Sequence, residues 1–206
     1  MKTIVVSGIG TEVGKTLVSA IITEALEADY FKPIQAGDLD FGDTDKVKKL
    51  ILNKKSVFHP NAFALKTPMS PHAAAEIDKI KIKANSIKRP KTENDLVLEG
   101  AGGLLVPINN TETIIDLIQP SDKVVLVSRH YLGSINHTLL SIETLKARNL
   151  SCSGIIFSGE ENPSTENIIK KMTGVPIIGR IEEEPYFDEN VVKEYANLFQ
   201  KKLKSL

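Results

Sequence analysis

The stretch GIGTEVGKT, residues 8–16, decides the fold. It ends like a phosphate-binding loop, in Gly14-Lys15-Thr16. The usual spacing, G-x-x-x-x-G-K-S/T, puts a glycine where this chain has Ile9, and glycines stand on either side, at Gly8 and Gly10. Before the loop, residues 3–7 (TIVVS) read as a buried strand. After it, residues 15–27 carry Leu17, Val18, Ile21, Ile22 and Leu26 at helical spacing. A strand–loop–helix of this kind aims backbone N–H groups at a phosphate from the helix N-terminus. Gly14 permits close backbone approach, Lys15 reaches β- and γ-phosphates, and the Thr16 hydroxyl is placed to hold Mg²⁺. The alternative is an ordinary strand–turn–helix with a chance GKT. Motif and context agree, so the shifted glycine reads as a loop variant. The loop specifies a nucleotide and leaves the reaction open.

Outward from the loop, short β-branched runs alternate with helical patterns. Strands are expected at 30–32, stopped by Pro33, and at 95–100, 123–128, 152–158 and 175–181. Helices are expected at 44–52, 112–119 (closed by Pro120), 134–148, 164–173 and 188–204. Apolar strands alternating with helices imply an α/β fold, a parallel sheet covered by helices on both faces, of P-loop NTPase type. Residues 1–206 read as a single domain with no repeat or linker. The basic stretch 79–91 reads as a solvated face or loop.

Composition narrows the function. Lys+Arg and Asp+Glu number 26 each, so there is no positive excess to draw nucleic acid. Hydrophobic residues make up 41% and charged residues 25%, an ordinary globular balance. One cysteine, Cys152, cannot pair within the chain and is expected in the core. The opening apolar run is short for a signal peptide, and no run approaches the ~18 apolar residues of a membrane helix. A cytoplasmic protein with no membrane or nucleic-acid partner is expected.

In an open parallel sheet ligands sit beyond the carboxyl ends of the strands. Here those ends carry KPIQAG (32–37), EGAGG (99–103) and LGSINH (132–137), with GDTD (42–45) and SPH (70–72) between. With GIGTEVGKT these segments, in this order, resemble the dethiobiotin synthetase family. The resemblance spans most of the chain and weakens after about residue 150. EGAGG together with LGSINH is its most specific part.

The resemblance implies an ATP-dependent cyclo-ligase of biotin biosynthesis. The diamine 7,8-diaminononanoate takes up CO₂ as a carbamate, ATP phosphorylates it, the second amine attacks and phosphate leaves. Carbamate and phosphate are both negative, so cations in a water-poor site are needed. Lys15 supplies one. Lys32, which spacing alone reads as an exposed lysine before a proline turn, supplies the second by the resemblance, and Thr11 completes the catalytic set. The nucleotide is assigned to Glu12, Val13, Gly14, Lys15, Thr16, Leu17, Asp45, Glu99, Gly100, Ala101 and Gly102. Mg²⁺ falls to Thr16, Asp45 and Glu99, with Asp43 two residues away; acidic residues at a helix start are also favoured by its dipole alone. Substrate falls to Thr11, Lys32, Gly102 and Gly103. In the family a segment matching Leu132, Gly133, Ser134 and Asn136 comes from a neighbouring subunit and receives the substrate's carboxylate, which implies a homodimer with shared active sites. His72 and His137 read as structural, and His59 and His130 carry no signal.

Four departures bear on selectivity. Gly10 and Ala36 replace a family Asp and Ser. Ser158 and Gly159 stand where the family reads adenine with an Asn-Asp pair, and Glu182 where proline is usual. Relaxed base selectivity is expected. The rival reading is a partitioning or septum-placement ATPase, a nucleotide-dependent switch. Those proteins carry a lysine five residues before the loop lysine, where this chain has Gly10. A cobyrinate-type amide synthetase needs a glutaminase domain that the chain is too short to hold.

Overall fold

The computed structural model describes residues 1–206. In chain order the strands are β1 (Thr3–Gly8), β2 (Asp29–Phe31), β3 (Ile34–Ala36), β4 (Phe58–His59), β5 (Phe63–Leu65), β6 (Leu96–Gly103), β7 (Lys123–Arg129), β8 (Cys152–Ser158) and β9 (Ile177–Ile181). The helices are α1 (Lys15–Leu26), α2 (Asp43–Lys49), α3 (Pro71–Ile77), α4 (Ser134–Ala147), α5 (Pro163–Thr173) and α6 (Glu189–Lys204). Seven strands form one sheet in the order β4-β2-β6-β1-β7-β8-β9, all parallel. β3 and β5 form a separate two-stranded parallel sheet. No helix is long and apolar enough to cross a membrane.

The two-faced burial expected of parallel strands is visible in β1. Ile4 and Val6 join the larger core cluster with Ile21 and Ile22 of α1 and Val192 and Phe199 of α6. Val5, between them, joins Leu96, Leu98 and Leu145 on the opposite face. Buried Glu24 ties α1 to α6 and to the loop after α2. It accepts hydrogen bonds from Lys193 at 2.7 Å, from the Leu52 and Asn53 N–H groups, and from the Asn53 amide.

Several expected boundaries shift, for identifiable reasons. The helix expected at 112–119 is a short 3-10 turn, Ile114–Leu117. The Ile114 and Ile115 N–H groups donate to the Val106 and Leu104 carbonyls, so the chain is tied sideways to β6's exit and cannot wind further. The strand expected to end at 100 continues to Gly103, because the glycine run pairs across a bulge with Gly8. The helix expected at 44–52 is α2, stopping at Lys49. β3, β4, β5 and α3 have no counterpart in the expected set; the strands are two or three residues long, too short for alternation to register. The basic stretch is a loop with one 3-10 turn. Within it Arg89 forks onto Asp122 at 2.6 Å through both terminal nitrogens and pins the loop to the sheet.

Candidate active site

The carboxyl ends of β1, β2, β6, β7, β8 and β9 open on one cleft of about 1210 Å³. Thr11, Glu12, Gly14, Lys15, Thr16, Leu17, Lys32, Glu99, Ala101 and Gly102 all line it. The phosphate loop leaves β1 through Gly8 and enters α1 through Gly14, whose φ of +93° is reached cheaply only without a Cβ. A Cβ at Gly8 would fall 2.5 Å from Val13, which is turned into the core, so the loop closes on itself behind the phosphate position. Around Gly10 nothing lies within 4 Å of an added Cβ, so the family's Asp has room there.

The cleft floor is a buried charge cluster. Lys32 follows β2, and its ammonium donates to Glu99 Oε1 at 3.0 Å and to Asp43 Oδ2. The Thr16 hydroxyl donates to Glu99 Oε1 at 3.0 Å, and the Tyr30 phenol to Glu99 Oε2 at 2.9 Å. Lys15 Nζ donates to the Gly10 carbonyl at 3.0 Å. Burial alone would lower the Lys32 pKa; attraction by Glu99 and then Asp43 reverses this and lifts it above the ordinary lysine value. The Lys15 pKa is lowered by burial first, with Lys32 adding to the fall and Glu99 opposing it. Asp43 is held below the usual carboxylate value: burial raises it, and Lys32 outweighs burial. The Tyr30 phenol is pushed well up by burial and then by Glu99, so it remains a donor.

Asp45 does not join this cluster. Its carboxylate turns back to accept from the Gly42 N–H at 3.0 Å, capping α2, and Asp43 faces Lys32 instead. In a helix the third residue from the start reaches the cap, while the first points outward. No three or more His, Cys, Asp or Glu side chains form a metal cage. The Thr16 hydroxyl with Glu99 and Asp43 offers a few hard oxygens, the donor set suited to an ion that keeps its waters, as Mg²⁺ does.

Val13, Gly100 and Gly103 lie behind the lining, in core and strand. Leu132, Gly133, Ser134 and Asn136 stand outside the cleft of their own chain, at the turn from β7 into α4. Leu132 is fully exposed there, and Asn136 is exposed in the first turn of α4. His72 bonds Ser70, and His137 bonds Tyr131, without entering the charge cluster. Sequence reasoning missed Tyr30, Gln35 and Lys46. Gln35 accepts from the Asp43 N–H at 3.3 Å and donates to the Gly37 carbonyl at 3.0 Å, setting where α2 begins. Lys46, one turn beyond Asp43, lies 3.5 Å from its carboxylate, and that three-residue spacing was the available signal.

At the far end the cleft is lined by Arg129, Ser158, Gly159, Glu182, Glu183, Glu184 and Phe187. A second cavity of about 760 Å³, between α3 and residues 80–83 and 108–112, holds none of the residues assigned to ATP or substrate.

Comparison with known proteins bears on what this cleft does. A protein-family model described as an AAA domain matches residues 2–191. The ATP-dependent dethiobiotin synthetase BioD of Christiangramia forsetii is 68% identical over 202 residues, 98% of each chain. The protein of the same name from Cytophaga hutchinsonii is 48% identical, covering 95% of this chain and 96% of that one. Among solved structures, the MinC:MinD cell division complex of Aquifex aeolicus matches 100% of this chain and 96% of that chain, with a TM-score of 0.62 at 16% identity. A plasmid partition protein of Borrelia burgdorferi bound to AMPPNP matches 100% of this chain and 99% of that chain, with a TM-score of 0.58 at 13% identity. At such identities the likeness is one of fold. The septum-placement and partitioning proteins share the P-loop architecture, and the sequence likeness runs to the synthetases.

Proposed function

The chain belongs to the ATP-dependent dethiobiotin synthetase family, and from that premise we infer how its cleft closes the ureido ring. The protein is an enzyme that makes dethiobiotin in biotin biosynthesis with ATP as co-substrate. The observation that carries the reading of the site is Lys32, a buried ammonium held by Glu99 and Asp43 at the strand edge that also carries Lys15.

The substrates assigned are 7,8-diaminononanoate and CO₂. One amine adds to CO₂ and gives a carbamate. A carbamate oxygen then attacks the γ-phosphorus and ADP leaves. The second amine attacks the carbonyl carbon, phosphate is expelled, and the ring closes with loss of a proton. Two anions must meet in the phosphoryl step, so fixed positive charge between them lowers the barrier. Lys15 holds the β- and γ-phosphates, and Lys32 spans carbamate and γ-phosphate. Thr11 and the backbone at Gly102 and Gly103 orient the carbamate and the reacting amine. Thr16, Glu99 and Asp43 would hold Mg²⁺, with Asp43 taking the place expected of Asp45. Bound there, Mg²⁺ supplies further neutralisation of phosphate charge. The Leu132–Asn136 turn, exposed at Leu132, Gly133 and Asn136, supports a shared site in a homodimer. It sits outside its own cleft and offers the start of α4, a 14-residue helix, to a carboxylate from a second copy.

Purified protein supplied with the diamine, bicarbonate, ATP and Mg²⁺ should yield dethiobiotin and ADP. Product formed without bicarbonate, or no product with every component present, would overturn the reading.

A further inference from the structure

Lys32 already sits where a cation is wanted. Its side chain is 6% exposed, and its ammonium bonds the same oxygen, Glu99 Oε1, that receives the Thr16 hydroxyl at 3.0 Å. It also bonds Asp43 Oδ2. Two of the three groups that would ligate Mg²⁺ therefore hold a lysine, and the third, Thr16, shares one of its oxygens. A carboxylate oxygen cannot give the same lone pairs to an ammonium and to a metal ion, and two cations at contact distance repel. Lys15 is also held back, on the Gly10 carbonyl.

We propose that Lys32 and a divalent cation are alternative occupants of the Glu99–Asp43 pocket. In the nucleotide-free protein the lysine neutralises both carboxylates. When metal enters with the nucleotide, the lysine is displaced and becomes free to face the transferred phosphoryl group. Burial explains why the exchange is useful. Without Lys32, buried Glu99 would have no cation at contact and Asp43 would keep only Lys46.

Tyr30 is the positioning residue of the exchange. Its phenol is fully buried and donates to Glu99 Oε2 at 2.9 Å, on the oxygen that neither Lys32 nor Thr16 uses. Its ring packs 5.9 Å from Phe58, centroid to centroid, in the body of the sheet. One carboxylate oxygen is thus anchored while the partner of the other changes.

The inference rests on the assignment of Thr16, Glu99 and Asp43 to the metal, and the test separates the two. Binding of Mn²⁺ to the full chain without nucleotide is measured from the electron paramagnetic resonance signal of the free ion. Lys32→Met and Lys32→Gln, each verified as folded by circular dichroism, should bind Mn²⁺ about tenfold or more tighter than wild type. Gln retains a donor for Glu99, so the test stands on Gln alone if the Met variant fails to fold. Adding Tyr30→Phe to either variant should reverse part of that gain. Unchanged Mn²⁺ affinity in the Lys32 variants overturns the exchange, and an unchanged affinity on adding Tyr30→Phe removes Tyr30 from it. Glu99→Gln with Mn²⁺ and ADP tests the premise. If it binds metal as wild type does, the metal assignment is wrong. If it loses metal while the Lys32 variants show no gain, the assignment stands and the exchange alone fails.

Discussion

Asp43 and Asp45 stand two positions apart at the start of α2, and helix geometry gives them separate work. Asp43 faces Lys32 and the cleft, while Asp45 caps the helix through the Gly42 N–H. Asp43→Ala should therefore cost turnover at least tenfold and raise the Mg²⁺ requirement, since it removes a carboxylate from the charged floor. Asp45→Ala should keep turnover within a few-fold and lower stability by about 1 kcal/mol, the loss expected of a cap. Steady-state kinetics and thermal melts of the two variants check this; the reverse pattern would restore Asp45 to the site. The two lysines separate in the same way. Lys15→Ala should lose nucleotide binding and turnover together. Lys32→Ala should bind nucleotide and lose turnover by ~2–4 kcal/mol, the worth of a preorganised charge. Near-wild-type turnover in Lys32→Ala would remove it from the mechanism.

At the scale of elements, the strands contribute to the cleft through residues in or just past their carboxyl halves. β1 delivers the loop, β2 delivers Lys32, β6 delivers Glu99 and the glycine run, and β8 and β9 wall the base end. Backbone groups of that last wall are already paired within the protein. The Ser158 carbonyl accepts from the His130 N–H, and the Gly159 N–H donates to the Ile181 carbonyl. The Glu182 N–H is taken by the Tyr195 hydroxyl. A site discriminates bases by the buried groups a wrong base leaves unpaired, and these backbone groups are already taken. GTP or CTP should support turnover within about tenfold of ATP, a gap of roughly 1.4 kcal/mol. Strict dependence on ATP at matched Mg²⁺ would show that other groups read adenine.

At the scale of the whole molecule, the Leu132–Asn136 turn is a lobe without a cleft to serve in its own chain. If a second copy uses it, inactive Lys15→Ala protein co-expressed with inactive Asn136→Asp protein should regain activity. Each mixed dimer then carries one site with both lesions and one with neither. No recovery in a verified heterodimer would place Asn136 in its own chain's site or outside any site. Stability has a pH signature too. Asp29 accepts from Asn94, Thr92, the Val57 N–H and His59, and these bonds outweigh burial and hold its pKa below 3.8. Glu24 is held below 4.5 by Lys193 and Asn53 against the same opposing burial. A carboxylate whose folded pKa is depressed adds stability that is present above its unfolded pKa and lost as pH falls through the folded one. The melting temperature should therefore hold from neutral pH down to about 5 and fall steeply below about 4. Asp29→Asn should shallow that fall, and a variant with the wild-type slope would remove Asp29 from the cause.

The sequence by itself determined the phosphate loop and the parallel α/β sheet. These follow from local pattern: β-branched runs, helical apolar spacing, and Gly-Lys-Thr at a strand–helix junction. It also carried the likeness to the synthetases, through EGAGG and LGSINH. Tertiary structure alone decided which oxygen meets which nitrogen. Tyr30 reads only as part of a short strand until β2 and β6 lie side by side and its hydroxyl reaches Glu99. Asp43 and Asp45 are equivalent acids until the direction of α2 is fixed. The stretch at 112–119 reads as a helix until its N–H groups find carbonyls at 104 and 106, a contact no window of sequence contains. Hydrogen bonds and charge pairs form between groups brought together by packing, across separations such as the 67 residues from Lys32 to Glu99, and local periodicity holds no record of them.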